Sequence, residues 1–156
     1  MKNLKQKLLI EQMDKKIKAF RSLESSIVPR KGWVHSIRTT LKMSLRQLAE
    51  RMNISAQSVN ELEKREANGS ISLKTLKVAA NAMDLKLVYG FIPKEESLEK
   101  IIENRARTLA TEIVSRTSNS MRLENQENSK NRIGKSIKSK TQEIMDAMPK
   151  YLWDLK

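Results

Sequence analysis

Ser44 to Lys64 reads Ser-Leu-Arg-Gln-Leu-Ala-Glu-Arg-Met-Asn-Ile-Ser-Ala-Gln-Ser-Val-Asn-Glu-Leu-Glu-Lys, and its punctuation predicts two short helices folded against each other. Ser44 is placed to cap the first helix, Gln47 three residues on completes a capping box, and Leu45, Leu48, Ala49 and Met52 repeat at helical spacing. Asn53 breaks the run. It is one of the few non-glycine residues that accept a left-handed backbone cheaply, as a three-residue corner between crossed helices demands. Ile54 is expected to fill that corner and Ser55 to cap the second helix. That helix turns Val59 and Leu62 inward and leaves Ala56, Gln57, Ser58, Asn60 and Glu61 outward.

The spacing is more specific than any residue in it. A small Ala49 where two helices nearly touch, Asn53 four on, Val59 six further and Leu62 three further is the helix-turn-helix pattern. An ordinary capped hairpin has no need of short polar donors and acceptors lined up at the start of its second helix. Side chains of that kind suit the edges of base pairs in a major groove.

Charge points the same way. The 156 residues carry a net charge of +13, which favours a polyanion as partner. It is unevenly placed: Met1 to Met43 has 11 Lys and Arg against 3 Asp and Glu, and Ser44 to Pro93 has 7 against 5. Lys94 to Asn128 has 6 against 7, and Ser129 to Lys156 has 7 against 3. The reading head is therefore nearly neutral between basic flanks, and Lys94 to Asn128 is the segment least suited to lie on DNA. DNA binding of this kind predicts a steep fall of affinity with salt, dominated by lysines near the N-terminus.

Zero cysteines removes disulfides and zinc-thiolate sites and fits a reducing cytosol. The apolar trio near the start is too short for a signal peptide, and no run approaches membrane-spanning length, so the expected location is the cytoplasm without membrane contact. Catalysis finds no support. Ile133-Gly-Lys-Ser resembles the end of a phosphate loop, but the required earlier glycine is Ser129, and no strand precedes it. No His, Asp and Glu cluster has metal spacing, and no cofactor is called for.

In chain order, Leu4 to Leu23 reads as a basic helix with Leu4, Leu8, Met13, Ile17 and Phe20 as a rough apolar stripe. Three roles are open to it: packing on the domain, pairing with a second copy, or ordering on DNA. Pro29 marks a linker. Gly32 opens a helix with Trp33, Ile37 and Leu41 on one side, Trp33 serving as a core or rim anchor, and His35 has no partner in the local sequence. Asn68-Gly69 ends the second motif helix. Ser72 caps another, with Leu73, Leu76, Ala79, Ala80 and Met83 closing the core. Leu85 to Ile92 is rich in strand formers and roughly alternates, which predicts a β-strand ended by Pro93, paired either with the chain's own N-terminal segment or, the preferred reading, with the same strand of a second copy. Such a two-fold axis would place two reading heads on a palindromic site. Beyond it, Leu98 to Arg116 and Ile133 to Met148 read as amphipathic helices, followed by a terminal Tyr151, Leu152 and Trp153. Neither stripe has an obvious place in the DNA-binding core, so each calls for a partner helix, self or foreign. The resulting division is residues 1–28 as a basic helix or arm, 29–93 as the DNA-binding domain with its strand, and 94–156 as a helical partner-binding or dimerisation region.

The motif resembles the Cro/repressor class of helix-turn-helix regulators, often called Xre-like. The resemblance implies a mainly α, lambda-repressor-like domain followed by one β-strand and C-terminal helices. It also implies that Ala56, Gln57 and Glu61 face base edges, that Ser58 and Arg46 approach phosphate, and that Arg38 reaches Glu63 as a structural ion pair. The candidate DNA-contacting set is Arg46, Ser55, Ala56, Gln57, Ser58, Asn60, Glu61 and Lys64. Independently of the resemblance, Gln57 can bond adenine bidentately, while Glu61 can accept from a cytosine amine but repels phosphates. Ala56 offers only methyl contact with thymine.

Over nearly its full length the chain is similar to the family called mobile mystery protein A, whose members are encoded beside a Fic-domain protein. The similarity is carried by Leu-Lys-Gln-Lys near the start, Pro29 to Trp33, the motif, Ser72 to Leu76, Leu87 to Tyr89, Ser120 to Gln126 and Leu152 to Asp154. Ser120-Met-Arg-Leu-Glu124-Asn125 fits Ser/Thr, three residues, Glu, Gly/Asn, and so resembles the inhibitory helix of antitoxins that silence Fic AMP-transferases. The resemblance implies that Glu124 pairs with an arginine that otherwise holds the ATP γ-phosphate, with Ser120 and Asn125 fixing register. Two functions are thus expected to compete: an antitoxin of a Fic-type toxin that also represses its own operon, and a stand-alone Xre-like regulator with dimerising C-terminal helices.

Overall fold

The computed structural model describes residues 2–121 and 129–154, and their regular structure is entirely helical. The helices are α1 (Lys2–Lys18), α2 (Trp33–Thr40), α3 (Leu45–Met52), α4 (Ala56–Ala67), α5 (Leu73–Ala82), α6 (Leu98–Met121) and α7 (Ser129–Ala147), with short 3₁₀ turns at Arg21–Leu23 and Lys150–Trp153. The chain forms two compact units, one of Ser22–Gly90 and one made from both ends, Met1–Arg21 with Phe91–Lys156.

In the unit Ser22–Gly90, local chemistry starts each of three helices. Ser44 Oγ accepts from Gln47 N at 3.1 Å and Ser44 N donates to Gln47 Oε1 at 2.8 Å, completing the capping box of α3. Ser55 Oγ accepts from Ser58 N at 3.0 Å, and Ser72 Oγ from Thr75 N at 3.1 Å. Asn53 lies in the left-handed region (φ 55°, ψ 44°) and turns the chain between α3 and α4. The core behind that corner is Val34, Leu48, Ala49, Val59, Leu62, Ala79 and Met83, with Leu48 and Val59 fully buried. Several inward assignments change, among them Leu73 of α5, which stays exposed. On α2 the buried positions are Val34 and Arg38, while Trp33 and Leu41 stay exposed. Ile54 remains exposed at the corner rather than filling it.

The β-strand expected over Leu85 to Ile92 does not form: residues 85–93 are irregular, and no described residue belongs to a strand. The fold is thus helical without the strand, and strand-to-strand pairing of two copies goes with it. The reason is that β-formers supply a preference, whereas a strand exists only where a neighbouring edge accepts its backbone hydrogen bonds. Here no described segment does. Leu85 N instead donates to Ala80 O at 2.9 Å, behind a left-handed Asp84 (φ 59°), to finish α5. Val88, Tyr89 and Phe91, which made the pattern alternate, are 63%, 64% and 80% exposed.

The second unit joins the chain's two ends. α6 and α7 pack on each other around Ile102, Ala106, Leu109, Ala110 and Ile144, and Leu152 of the terminal 3₁₀ turn completes that core. The two amphipathic stripes beyond the strand region are therefore each other's partners. α1 packs on α6 through Ile10 and Asp14. Asp14 Oδ1 and Oδ2 accept from Leu98 N (2.8 Å) and Glu99 N (3.3 Å), capping α6. Arg21 donates to the carbonyls of Glu95 and Glu96 at 2.9 and 2.6 Å. Arg105 donates to Leu152 O at 2.6 Å and Asp154 O at 2.5 Å, fixing the tail. Lys7 pairs with Asp146 at 2.7 Å, which raises the lysine's pKa and lowers the carboxyl's.

Candidate nucleic-acid interface

The surface that α4 presents follows from its period. Val59, Leu62 and Glu63 are buried, which leaves Gln57, Glu61 and Lys64 on one exposed stripe, flanked by half-buried Asn60. Glu61 and Lys64 pair at 3.3 Å, so the stripe carries both signs with little net charge. Ser55 and Ser58 are exposed, their hydroxyls 2.8 Å apart beside the cap. Ala56 is only partly accessible, because its methyl packs on the core. Arg46, in the first turn of α3, is strongly exposed and reaches Glu50 at 3.2 Å. All eight candidate residues thus belong to α3, to α4 or to the cap of α4.

Beneath that surface, a group of charges holds α4 against α2. Arg38 Nε donates to Glu63 Oε1 at 2.5 Å and Nη2 to Oε2 at 3.1 Å, a fork-on-carboxylate arrangement with both residues buried. Arg38 Nη1 also donates to Met43 O at 2.8 Å. His35 Nδ1 lies 2.9 Å from Glu63 Oε2, so the lone histidine has a partner that comes from 28 residues away. Burial pushes the Glu63 carboxyl up, but hydrogen bonds and charge from Arg38 and His35 outweigh it and hold the group below its ordinary value.

A second carboxylate on the same helix adds to the clamp without having stood out in the sequence. Glu66 Oε1 and Oε2 accept from Trp33 N (2.8 Å) and Val34 N (2.9 Å), meeting two of the four free N–H groups at the start of α2. Gly32 makes room for it. Its φ is +85°, and a Cβ there would stand 2.8 Å from Glu66 Cδ. Arg51 likewise donates from α3 to Ala82 O at 2.7 Å and Asp84 Oδ2 at 3.1 Å, tying down the end of α5. The available signal for Glu63 and Glu66 was two carboxylates, three apart, on the face that also carries Val59 and Leu62.

Of the proposed Fic-inhibitory residues, Glu124 and Asn125 lie outside the described residues. Ser120 falls in the last turn of α6, its side chain likewise outside what is described. Among the described residues no three His, Cys, Asp or Glu side chains are grouped as a metal site would require, and no helix is long and apolar enough to cross a membrane.

Residues 34–89 match a helix-turn-helix family model. An Xre/Cro-type helix-turn-helix domain, a DNA-binding and non-catalytic module, is therefore present, and it takes in α2 through α5. No curated protein matches the chain. No solved structure matches it either.

Proposed function

We propose that the chain is a sequence-specific transcriptional regulator that reads duplex DNA with α4. The observation behind this is the exposed stripe of Gln57, Glu61 and Lys64 on a helix whose other face is sealed into a core and clamped to α2 by Glu63 and Glu66. In this reading Gln57 bonds an adenine edge, Asn60 and Glu61 meet neighbouring base edges, and Ala56 touches a thymine methyl. Arg46, Ser55, Ser58 and Lys64 face phosphates and set the register. The arrangement suits DNA because base edges need rigidly held polar groups, and α4 is held from behind by Val59 and Leu62 in the core and, toward its C-terminal end, by Glu63 and Glu66.

A gel-shift titration tests it, using duplex from the chain's own promoter region against a scrambled duplex of equal length. The promoter duplex should bind more tightly, and Gln57→Ala should reduce that preference by about 1–3 kcal/mol. Equal affinity for the two duplexes overturns the reading.

A second reading adds a protein partner: the chain would also be the antitoxin of a Fic-type toxin, blocking its ATP site through Glu124. Its support is the order of motifs along the sequence, including the Ser120 to Asn125 pattern. Mixing the chain with a Fic partner and following AMP transfer tests it. Wild type should suppress transfer and Glu124→Gly should not, whereas equal transfer with both removes the antitoxin role and leaves the regulator standing.

A further inference from the structure

The cations of this chain are unequally answered. Lys7 is met by Asp146 at 2.7 Å, Lys100 and Arg107 share Glu103 at 2.6 and 3.1 Å, and Lys64 meets Glu61 at 3.3 Å. α7 differs. From Ser129 to Gln142 it carries Lys130, Arg132, Lys135, Lys138 and Lys140 and no carboxylate. Of these, Lys140 alone has an ion pair among the described residues, with Glu143 at 2.9 Å.

The helix period sorts them. Ile137, Thr141 and Ile144 turn one face of α7 into its own unit. The opposite face then presents Arg132, Lys135 and Lys138, with Asn131, Ser139 and Gln142 between them, all six exposed. Cations at i, i+3 and i+6 span about 9 Å of helix axis. Duplex DNA offers a negative charge about every 1.7 Å along its axis, so such a row meets several phosphates at once. The intervening amides and hydroxyl are of the kind that donate to phosphate oxygens. A protein partner fits this face poorly, because it has no aromatic or aliphatic anchor, and lysine is depleted from protein interface cores.

We propose that the outer face of α7 is a second polyanion-binding surface whose ligand is the phosphate backbone of duplex nucleic acid, contacted without regard to sequence. It rests on the reading of the chain as a DNA-binding regulator and adds a site outside the helix-turn-helix domain. The chain would then read sequence with α4 and gain affinity, but no sequence information, from α7.

The test uses the full chain carrying Arg132→Gln, Lys135→Gln and Lys138→Gln, with melting followed to establish folding. Binding to scrambled duplex is measured between about 50 and 200 mM salt. Because three cations no longer displace counterions from phosphates, the slope of log K against log salt should flatten by about 2–3. Affinity for scrambled duplex at the low-salt end should fall at least tenfold, and the ratio of promoter to scrambled binding should stay as in wild type. An unchanged slope and affinity overturns the proposal. So does a variant that keeps duplex binding but loses binding to poly-glutamate, since the partner is then an acidic protein. If the triple variant melts early, the single reversal Lys135→Glu replaces it, with the same readings expected in smaller measure. A wild type without promoter preference, but with a slope that α7 substitution flattens, defeats the sequence-specific reading and leaves this one intact.

Discussion

The two units use the same device at different range. In Ser22–Gly90, α3, α4 and α5 each start on a serine that caps the N–H three residues ahead, from Ser44, Ser55 and Ser72, and α2 alone is capped from afar, by Glu66. In the other unit, Ser97 caps Lys100 N at 3.0 Å in that local way, but the N–H groups of Leu98 and Glu99 are met by Asp14, 84 and 85 residues away. The 3₁₀ turn at the C-terminus is likewise held by Arg105, 47 residues before Leu152. Capping chemistry is indifferent to where along the chain the oxygen comes from. Legibility is not, because only the short-range form leaves a pattern in the sequence.

The largest expected effect tests the densest long-range contact in the first unit. Glu63→Ala leaves Arg38 buried and uncompensated and should cost about 3–5 kcal/mol, read as a lowered melting midpoint; an unchanged midpoint would mean the pair is not buried in solution. Leu152→Ala empties a fully buried position in the other unit and should cost about 2–5 kcal/mol. Hydrogen exchange should then rise in α6 and α7. Exchange that rises instead in α3 and α4 would deny the division into units. Asp14→Ala withdraws a carboxylate from two N–H groups and should cost about 1.5–3 kcal/mol, against about 1 kcal/mol for Ser55→Ala. If the order of those two reverses, the remote cap is the weaker one and the contrast between the units fades.

The smallest effect is in acid. The Glu63 carboxyl is held below its ordinary 4.5, so it binds fewer protons folded than unfolded near that pH. Its stabilisation is fully present above pH 4.5 and is lost as pH falls through the lowered value. Glu63→Gln should flatten the acid limb of the stability curve of Ser22–Gly90. An acid limb identical to wild type would assign the loss to other carboxylates.

The helix-turn-helix core was readable because its determinants are neighbours: Ser44 with Gln47, Asn53 at the corner, and Val59 with Leu62 on one stripe. The candidate contacts on α4 were placed from the same period, and Ala56 drew inward because a methyl is free to pack. What stayed hidden depends on partners far along the chain. His35 looked solitary because Glu63 lies 28 residues on, and Gly32 looked like a simple opener because Glu66 lies 34 residues on. The error over Leu85 to Ile92 had the same origin. Its side chains advertise a strand, but the neighbour that would make it one cannot be seen in the segment itself. On α1 the apparent stripe met the inner face only at Ile17, since the other half-buried positions are Ile10 and Asp14, one of them a carboxylate.

The cap that Asp14 places on α6 has a consequence for the order of manufacture. A growing chain frees all of Ser22–Gly90 for folding while the later part of the other unit is still unmade or inside the ribosome. α1 leaves before the other helices, yet its docking surface on α6, together with the α7 and Leu152 that back it, is among the last to appear. The first of these helices to be synthesised is therefore among the last to find its seat, and a nascent chain halted after Gly90 has emerged but before Leu152 is made has its helix-turn-helix domain free to fold while the lysine-rich α1 stays undocked.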